Sequence, residues 1–584
     1  MSLYNRKLRI LLIVFLLLIA AAVRAVDVWR PIDGTSKDVW REPDVGGIAR
    51  NFYREGMNIL YPRIDWRGDG PGFVESEFPL YPWTVALMYH LFGYHEEIAR
   101  MISYVLSLGA WFVFFKLASL LLPSAGVIAA VAFFTFSPIA IRMAAAVQPE
   151  PLMFLSYLMA AYYFIRWYQS DRVAYFIASF VATVVTILAK LPAIHIGFLF
   201  AGMVFEKFGW RFIIQKKVLA FAIGVLFISL LWYSHARSLW IQYGNSLGMS
   251  NEAFIRISSL NFLVTLFSTI RGNIKAELVS VWTPAGALLG AAALFWSNKH
   301  SSYRIIVYWL CALAIFYLVT GRTTGESWAR HYHIVSIPSA ALLIGLAMAN
   351  VAEMKVEKRI WQGGRGLLFG LGALLLVSVL TRFPDLSQAN LWKSYTFAMV
   401  VKFLGVICLV TGLLMLIPGI VLFNENVSGG GKSFFRISLN CVIPVFFVFC
   451  MATALLFELW QGIRSAYSYS QGDPLYSCAR KFKDSVPEGS LIVASGAPEM
   501  DLQGIHRAYN APYMFFWMDR KGFSINDEEQ SISKIEELRK RGAKYFVAEK
   551  IRVQAKPGFE EDLTKRFRII EKCPEALLFE LTTR

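Results

Sequence analysis

Long apolar stretches separated by short basic segments repeat through the first 460 residues and then stop. Many approach the ~20 residues that a helix needs to cross a bilayer. In lipid the backbone must satisfy its own hydrogen bonds, so such stretches read as helices. Thirteen are counted, near 8–25, 98–121, 124–141, 151–168, 173–189, 191–207, 217–235, 277–296, 304–320, 331–350, 365–381, 396–422 and 435–458. Beyond Gln461 the pattern changes period. A helical stretch at Pro474–Ser485 leads to an apolar strand at Leu491–Ala494, a charged helix at Glu528–Arg541, a second strand at Tyr545–Ala548, and short strands near 567–571 and 577–582. Such alternation predicts a small α/β layer. The chain therefore divides into a helical polytopic membrane part, 1–460, and a C-terminal α/β domain, 461–584.

Composition supports this division. Apolar residues make up 56% of the 584 positions and charged ones only 17%, against about a quarter in soluble domains. A formal charge of +17 would point to nucleic acid in a soluble protein. Here it follows from basic cytoplasmic loops, because no compact patch of arginines and aromatics is present. With the N-terminus inside, the inner loops hold Arg166 and Arg172; Lys207, Arg211, Lys216 and Lys217; Lys299 and Arg304; Lys355, Lys358, Arg359 and Arg365; Lys432 and Arg436. Each is net basic, as positive-inside orientation requires. The start, with Arg6, Lys7 and Arg9 before an apolar run, resembles a signal peptide but reads better as a retained first helix.

An odd span count places the C-terminal domain outside, where Cys478 and Cys573 would be able to pair in an oxidising compartment. The same orientation puts outside a long first loop, 26–97, and shorter loops near 142–150, 190, 236–276 and 321–330. Loops as long as the first are usually functional. Its apolar stretch Phe78–Gly93 is too short to span and reads as an interfacial or re-entrant helix.

Two signals mislead. Ser428–Ser433, with three glycines before Lys432, has Asn426 where a phosphate-binding loop needs glycine, and no strand precedes it. His331 and His333 stand two apart, which is not the spacing that shares a helix face, so no metal cluster is expected.

The chemistry-bearing residues are individually modest. Asp44 follows Pro43 and precedes Ile48 and Phe52 at helical spacing, so it stands in the first turn of a short helix, where a capping aspartate is equally at home. Glu75 and Glu77 lead into Phe78-Pro79-Leu80-Tyr81-Pro82; either acid would also suit an ordinary surface. Glu150 sits at a predicted span end, where a carboxylate is cheap. Lys190 lies where two predicted spans meet and would be able to snorkel. Arg330, His331 and Tyr332 open a later span. By the same topology all gather on the outer face, which suits displacement of a lipid phosphate from a sugar: a carboxylate takes the acceptor proton and cations stabilise the departing phosphate.

The order of these pieces resembles the GT-C superfamily of membrane glycosyltransferases, and within it the branch of protein O-mannosyltransferases and the lipid A aminoarabinose transferase. Asp44 with Ile48-Ala49-Arg50 matches that branch's first-loop Asp-x-x-x-x-Ala/Ser-Arg helix; Glu77 to Pro82 matches its Glu-x-Pro-Pro-Leu-Tyr-like segment. Glu150, Ala189-Lys190, and Arg330-His331-Tyr332 running to Pro338 match its later landmarks. The departures are Phe78, where the aminoarabinose pattern has lysine, and Glu150, where the second acid is usually aspartate; they argue against assigning the substrate by analogy. The resemblance implies a GT-C fold and an inverting transfer from a polyprenyl-phosphate sugar to a lipid, glycan or protein acceptor outside a bacterial inner membrane. Its implied catalytic acids are Asp44, Glu77 and Glu150. Phosphate contacts fall to Lys190, Arg330, His331 and Tyr332, and acceptor or sugar positioning to Glu75 and Tyr81. No cofactor beyond the lipid-linked donor is implied, and a divalent metal is left open. Two rivals remain: a flippase of lipid-linked sugars, against which the absence of mid-span acids counts, and a non-enzymatic envelope assembly protein.

Overall fold

A computed structural model describes residues 3–34, 40–248, 302–324, 330–353, 473–499 and 509–583. The spans read near 277–296, 365–381, 396–422 and 435–458 lie outside the described residues. The chain opens with α1 (Leu3–Arg24), then α2 (Arg41–Glu55) and α3 (Leu80–Phe92) within the first loop. The bundle continues through α4 (Glu96–Leu121), α5 (Ser124–Phe136), α6 (Pro138–Arg142), α7 (Glu150–Ser170), α8 (Val173–Ala189), α9 (Ile196–Phe208), α10 (Lys216–Tyr243), α11 (Ser302–Thr324) and α12 (Ile337–Glu353). By length and composition, five segments among the described residues are long and apolar enough to cross a membrane, or six if a bent pair counts as one. The helices α1, α7 and α8, read as spans from the sequence, are not among the five; α8 is apolar but shorter.

The bent pair covers the stretch read as one span near 124–141. The axis turns by 54° between α5 and α6. Pro138, at the start of α6, has no N–H to give the carbonyl of Phe134, so the ladder breaks there. Arg24, buried at the end of α1, takes up the freed groups: it donates to the Phe134 carbonyl at 3.1 Å and the Thr135 carbonyl at 3.0 Å. A second feature of the bundle is backbone contact between α5 and α12. A Cβ at Gly126 would meet the Gly345 carbonyl oxygen at 2.6 Å, and the reverse substitution meets the same distance, so both positions must stay small.

The C-terminal residues build a five-stranded mixed sheet from β1 (Leu491–Ser495), β2 (Lys521–Ile525), β3 (Ala543–Glu549), β4 (Phe567–Lys572) and β5 (Ala576–Thr583). Its order is β2-β1-β3-β5-β4, with β1 parallel to both neighbours and β5 antiparallel to both of its own. Among the described residues five helices flank it: α13 (Pro474–Ser485), α14 (Pro512–Met518), α15 (Ile532–Lys540), α16 (Lys550–Gln554) and α17 (Phe559–Arg566). The charged helix starts at Ile532, not Glu528, because the Ser531 hydroxyl caps it by accepting from the Lys534 N–H. Cys478 on α13 is bonded to Cys573 across 95 residues. Closing a loop of that length is worth about 4–5 kcal/mol on chain-entropy grounds.

The aromatic and basic stretch Tyr513–Gly522, which its sequence alone would let face a membrane or an acceptor or pack as a surface loop, is packed and regular. Residues 512–518 form α14, every residue of it buried, and β2 follows. The helix packs against α2, and Trp517 donates to the Ile32 carbonyl at 2.5 Å. The sheet domain thus sits directly on the first loop, with one shared core.

Candidate functional site

The site is assembled at the ends of elements. Arg41 and Asp44 occupy the first turn of α2, where an acid is stabilised by the helix dipole. Glu77 lies just before α3, in a segment pinned from two sides: the Phe78 N–H donates to the Leu188 carbonyl at 2.9 Å, and Trp232 of α10 donates to the Ser76 carbonyl at 3.1 Å. Lys190 is an extended residue between α8 and a 3-10 turn, Leu191–His195, that Pro192 helps to start. Glu150 is the first residue of α7. His331 and Tyr332 lie in a 3-10 segment, Arg330–Ser336, leading into α12.

These ends meet. Arg41 Nη2 lies 2.6 Å from Glu77 Oε1; Lys190 Nζ lies 3.1 Å from the same oxygen and 2.8 Å from Glu150 Oε1. His331 Nε2 stands 3.6 Å from Glu150 Oε1, and the Lys190 ammonium sits over the Tyr332 ring at 4.8 Å. Lys190, Glu150 and His331 are almost wholly buried. Burial pushes the Glu77 carboxyl up, but the Arg41 guanidinium and the Lys190 ammonium outweigh it and hold it well below the usual carboxylate range. Two carboxylates and two cations therefore balance one another. Their hydrogen bonding is incomplete, however: Glu150 Oε2, His331 Nδ1 and Arg41 Nε are buried without a well-directed partner. A polar ligand with several acceptors and donors would satisfy them.

Asp44 differs. It shares a helical turn with Arg41, keeps a solvent-reachable edge, and accepts from Trp66 Nε1 at 2.8 Å. Desolvation pushes its carboxyl up to about 7, against the opposing effects of the Trp66 N–H and the Arg41 charge, while Asp65 reinforces the rise. A carboxyl that titrates near neutrality is suited to taking and releasing a proton.

The remaining residues singled out from the sequence are placed elsewhere. Glu75 accepts from the Ser246 hydroxyl at 2.5 Å and the Gly248 N–H at 3.1 Å, which ties the first loop to the segment after α10. Tyr81 is buried; its hydroxyl donates to the Ala99 carbonyl at 2.9 Å and meets the Ser103 hydroxyl at 2.7 Å, joining α3 to α4. Arg330 begins its 3-10 segment, and its side chain lies outside the described part. Arg41 was not singled out from the sequence, although its place one turn ahead of Asp44 was a usable signal. Among the described residues no group of three or more His, Cys, Asp or Glu is arranged to hold a metal ion. The groups able to contact a phosphate are Arg41, Lys190 and His331.

Residues 73–233, which contain Glu77, Glu150 and Lys190, match the family profile described as dolichyl-phosphate-mannose-protein mannosyltransferase. This segment, less than half of the chain, is similar to that family. The fold agrees. The chain superimposes on ArnT from Cupriavidus metallidurans in the apo state with a TM-score of 0.57 at 15% identity, covering 98% of both chains. The same protein bound to undecaprenyl phosphate gives 0.56 at 13% identity, covering 100% of this chain and 99% of that one. The apo oligosaccharyltransferase from Archaeoglobus fulgidus gives 0.52 at 11% identity, over 94% of this chain and 70% of that one. No curated protein matches the sequence significantly.

Proposed function

We propose that this GT-C protein moves a sugar, with inversion, from a polyprenyl-phosphate donor to an acceptor on the outer face of a bacterial inner membrane. The observation that carries the reading is the joining of Arg41, Glu77, Glu150, Lys190 and His331 from separate elements into one buried ionic cluster beside Asp44. Arg41 and Lys190 are the partners for the donor phosphate, and His331 supplies a further contact. A phosphate buried without cations would cost several kcal/mol, and these cations become available as it shares them with Glu77 and Glu150. Asp44 takes the proton of the acceptor nucleophile as its oxygen or nitrogen bonds to the anomeric carbon. The bond from that carbon to the phosphate oxygen breaks, and the released polyprenyl phosphate keeps the electron pair. Glu77 and Glu150 hold the cations in place and orient the sugar. The cognate with undecaprenyl phosphate bound supports a polyprenyl carrier here.

The same reading includes thirteen spans, a membrane domain over 1–460 and a C-terminal domain over 461–584 on the active-site side. Its support is the docking of the C-terminal sheet on the first loop. Full-length protein in lipid nanodiscs, incubated with radiolabelled undecaprenyl-phosphate sugars and a membrane extract, should move label into an extract component. Mass analysis of envelope glycans with and without the intact gene then identifies the sugar and acceptor. Retention of all label on the carrier, with unchanged envelope glycans, would reject the reading.

A further inference from the structure

Next to the ionic cluster lies a second buried ion pair that touches none of its members. Arg100, on α4, and Glu42, on α2, are 3% and 1% exposed. The pairing is bidentate: Nη1 and Nη2 of Arg100 each donate to a Glu42 oxygen at 3.1 Å. The other Arg100 donors are also used, Nε by the Arg30 carbonyl at 2.8 Å, Nη1 by the Ala145 carbonyl at 3.0 Å and Nη2 by the Pro31 carbonyl at 2.9 Å. Glu42 Oε1 accepts in addition from the Val147 N–H at 3.1 Å. One side chain thus holds the exit of α1, the start of α2 and the approach to α7. Glu42 is the neighbour of Arg41 and lies two residues from Asp44; Val147 lies three residues before Glu150.

We infer that Glu42 and Arg100 are positioning residues, a clamp that sets the first turn of α2, with Arg41 and Asp44, against the start of α7, with Glu150. A bidentate pair fixes direction as well as distance, which an apolar contact of the same volume does not. The inference rests on the proposed reaction for its kinetic consequence, because transfer needs the base and the phosphate partners in register to within a fraction of an ångström. For stability alone the pair is replaceable, since apolar residues of similar volume often substitute for a buried ion pair without loss. That difference separates a positioning role from a merely structural one.

The test uses full-length chain in nanodiscs with the variants E42Q and E42L/R100M. Each is measured for thermal midpoint, transfer rate from undecaprenyl-phosphate sugars, and titration of Asp44 by carbon-13 carboxyl-labelled aspartate, assigned through the signal lost in D44N. Asp44 faces Trp66, Arg41 and Asp65, and burial is the largest influence on it. With the clamp released, water reaches the first turn of α2, and the Asp44 midpoint falls from about 7 toward the ordinary carboxylate value. The E42L/R100M protein should melt within a few degrees of wild type while kcat falls about 10–100-fold, with a smaller change in KM. Folded E42L/R100M with a wild-type kcat and an unmoved Asp44 midpoint overturns the clamp. If that variant does not fold, E42Q decides by the same two readings. Wild-type protein without transfer would remove the proposed reaction, while the Asp44 titration would still decide the clamp.

Discussion

The two ends of α2 use the same residue types to opposite purpose. Toward its C-terminal end, Arg50 donates to Asp65 Oδ2 at 2.7 Å and to the Phe516 carbonyl at 2.9 Å, and lies 3.0 Å from Asp519. The other Asp65 oxygen accepts from Asn51 at 2.8 Å, and Arg54 reaches Asp519 at 2.7 Å. This network joins the first loop to the sheet domain, and the oxygens of Asp65 are taken up within it. Toward the N-terminal end, Arg41, Glu77, Lys190 and Glu150 are equally close, yet buried atoms of Arg41, Glu150 and His331 keep unused hydrogen-bonding capacity. A network with its partners complete holds structure. One with charge balanced but partners missing is prepared to exchange those partners for a ligand.

Substitutions at the two ends should separate these roles. The largest effect falls at the open end. Asp44→Asn is expected to lower kcat by about 10²–10⁴-fold, whereas Lys190→Ala should act chiefly on donor KM. Steady-state transfer kinetics on purified protein read both, and a near wild-type kcat for the asparagine variant would remove Asp44 as base. At the closed end, Arg50→Ala strands the Asp65 carboxylate. It should cost about 3–5 kcal/mol of stability, seen as a lower thermal midpoint and easier proteolysis of the sheet domain. An unchanged midpoint would mean that the docking does not depend on this pair.

A smaller and opposite effect is expected from Asp44 itself. Its folded pKa of about 7 lies above the ordinary 3.8, so the folded state binds this proton more tightly than the unfolded chain does. The stability linked to that proton is complete below about pH 4 and is lost as pH rises through about 7. Asp44→Asn should therefore melt higher than wild type above pH 7, with the gap closing toward pH 4. Over the same interval the wild-type transfer rate should rise with pH as the base ionises. Midpoints that run parallel across pH for the two proteins would contradict the raised titration. The smallest effect belongs to Asp69, whose exposed contact with Arg541 spans 2.6 Å. Asp69→Ala should change stability by no more than about 1 kcal/mol, and less at high salt.

How far the sequence carried depended on whether the determining contacts were local. Helix α13 was legible residue for residue because Asp473 caps it by accepting from the Leu475 N–H at 2.8 Å and Pro474 starts it, both within one turn. Helix α8 was legible from its apolar run, bounded by Arg172 and Lys190. Strand β2 was missed because five residues of mixed character become a strand only through pairing with β1, thirty positions away, and through Gly68 and Asp65 of the first loop. The break between α5 and α6 was missed although Pro138 signals it, since an apolar run conceals a bend whose freed carbonyls are met by Arg24 from another helix.

For the site, the sequence by itself supplied the candidates Asp44, Glu77, Glu150, Lys190, His331 and Tyr332, most of them at the ends of apolar helices, in an order that resembles the GT-C family's. Helix ends are where polar groups can be kept at low cost beside a bilayer, so the pattern of hydrophobicity alone points to them. Only the tertiary structure decided which of these residues meet. Arg41 joined them because the first turn of α2 faces Glu77, whereas Glu75 turned away to tie two loops together and Tyr81 to join α3 to α4. Burial, charge balance and hydrogen-bond completion depend on neighbours tens to more than a hundred residues apart, and no local run of sequence encodes them.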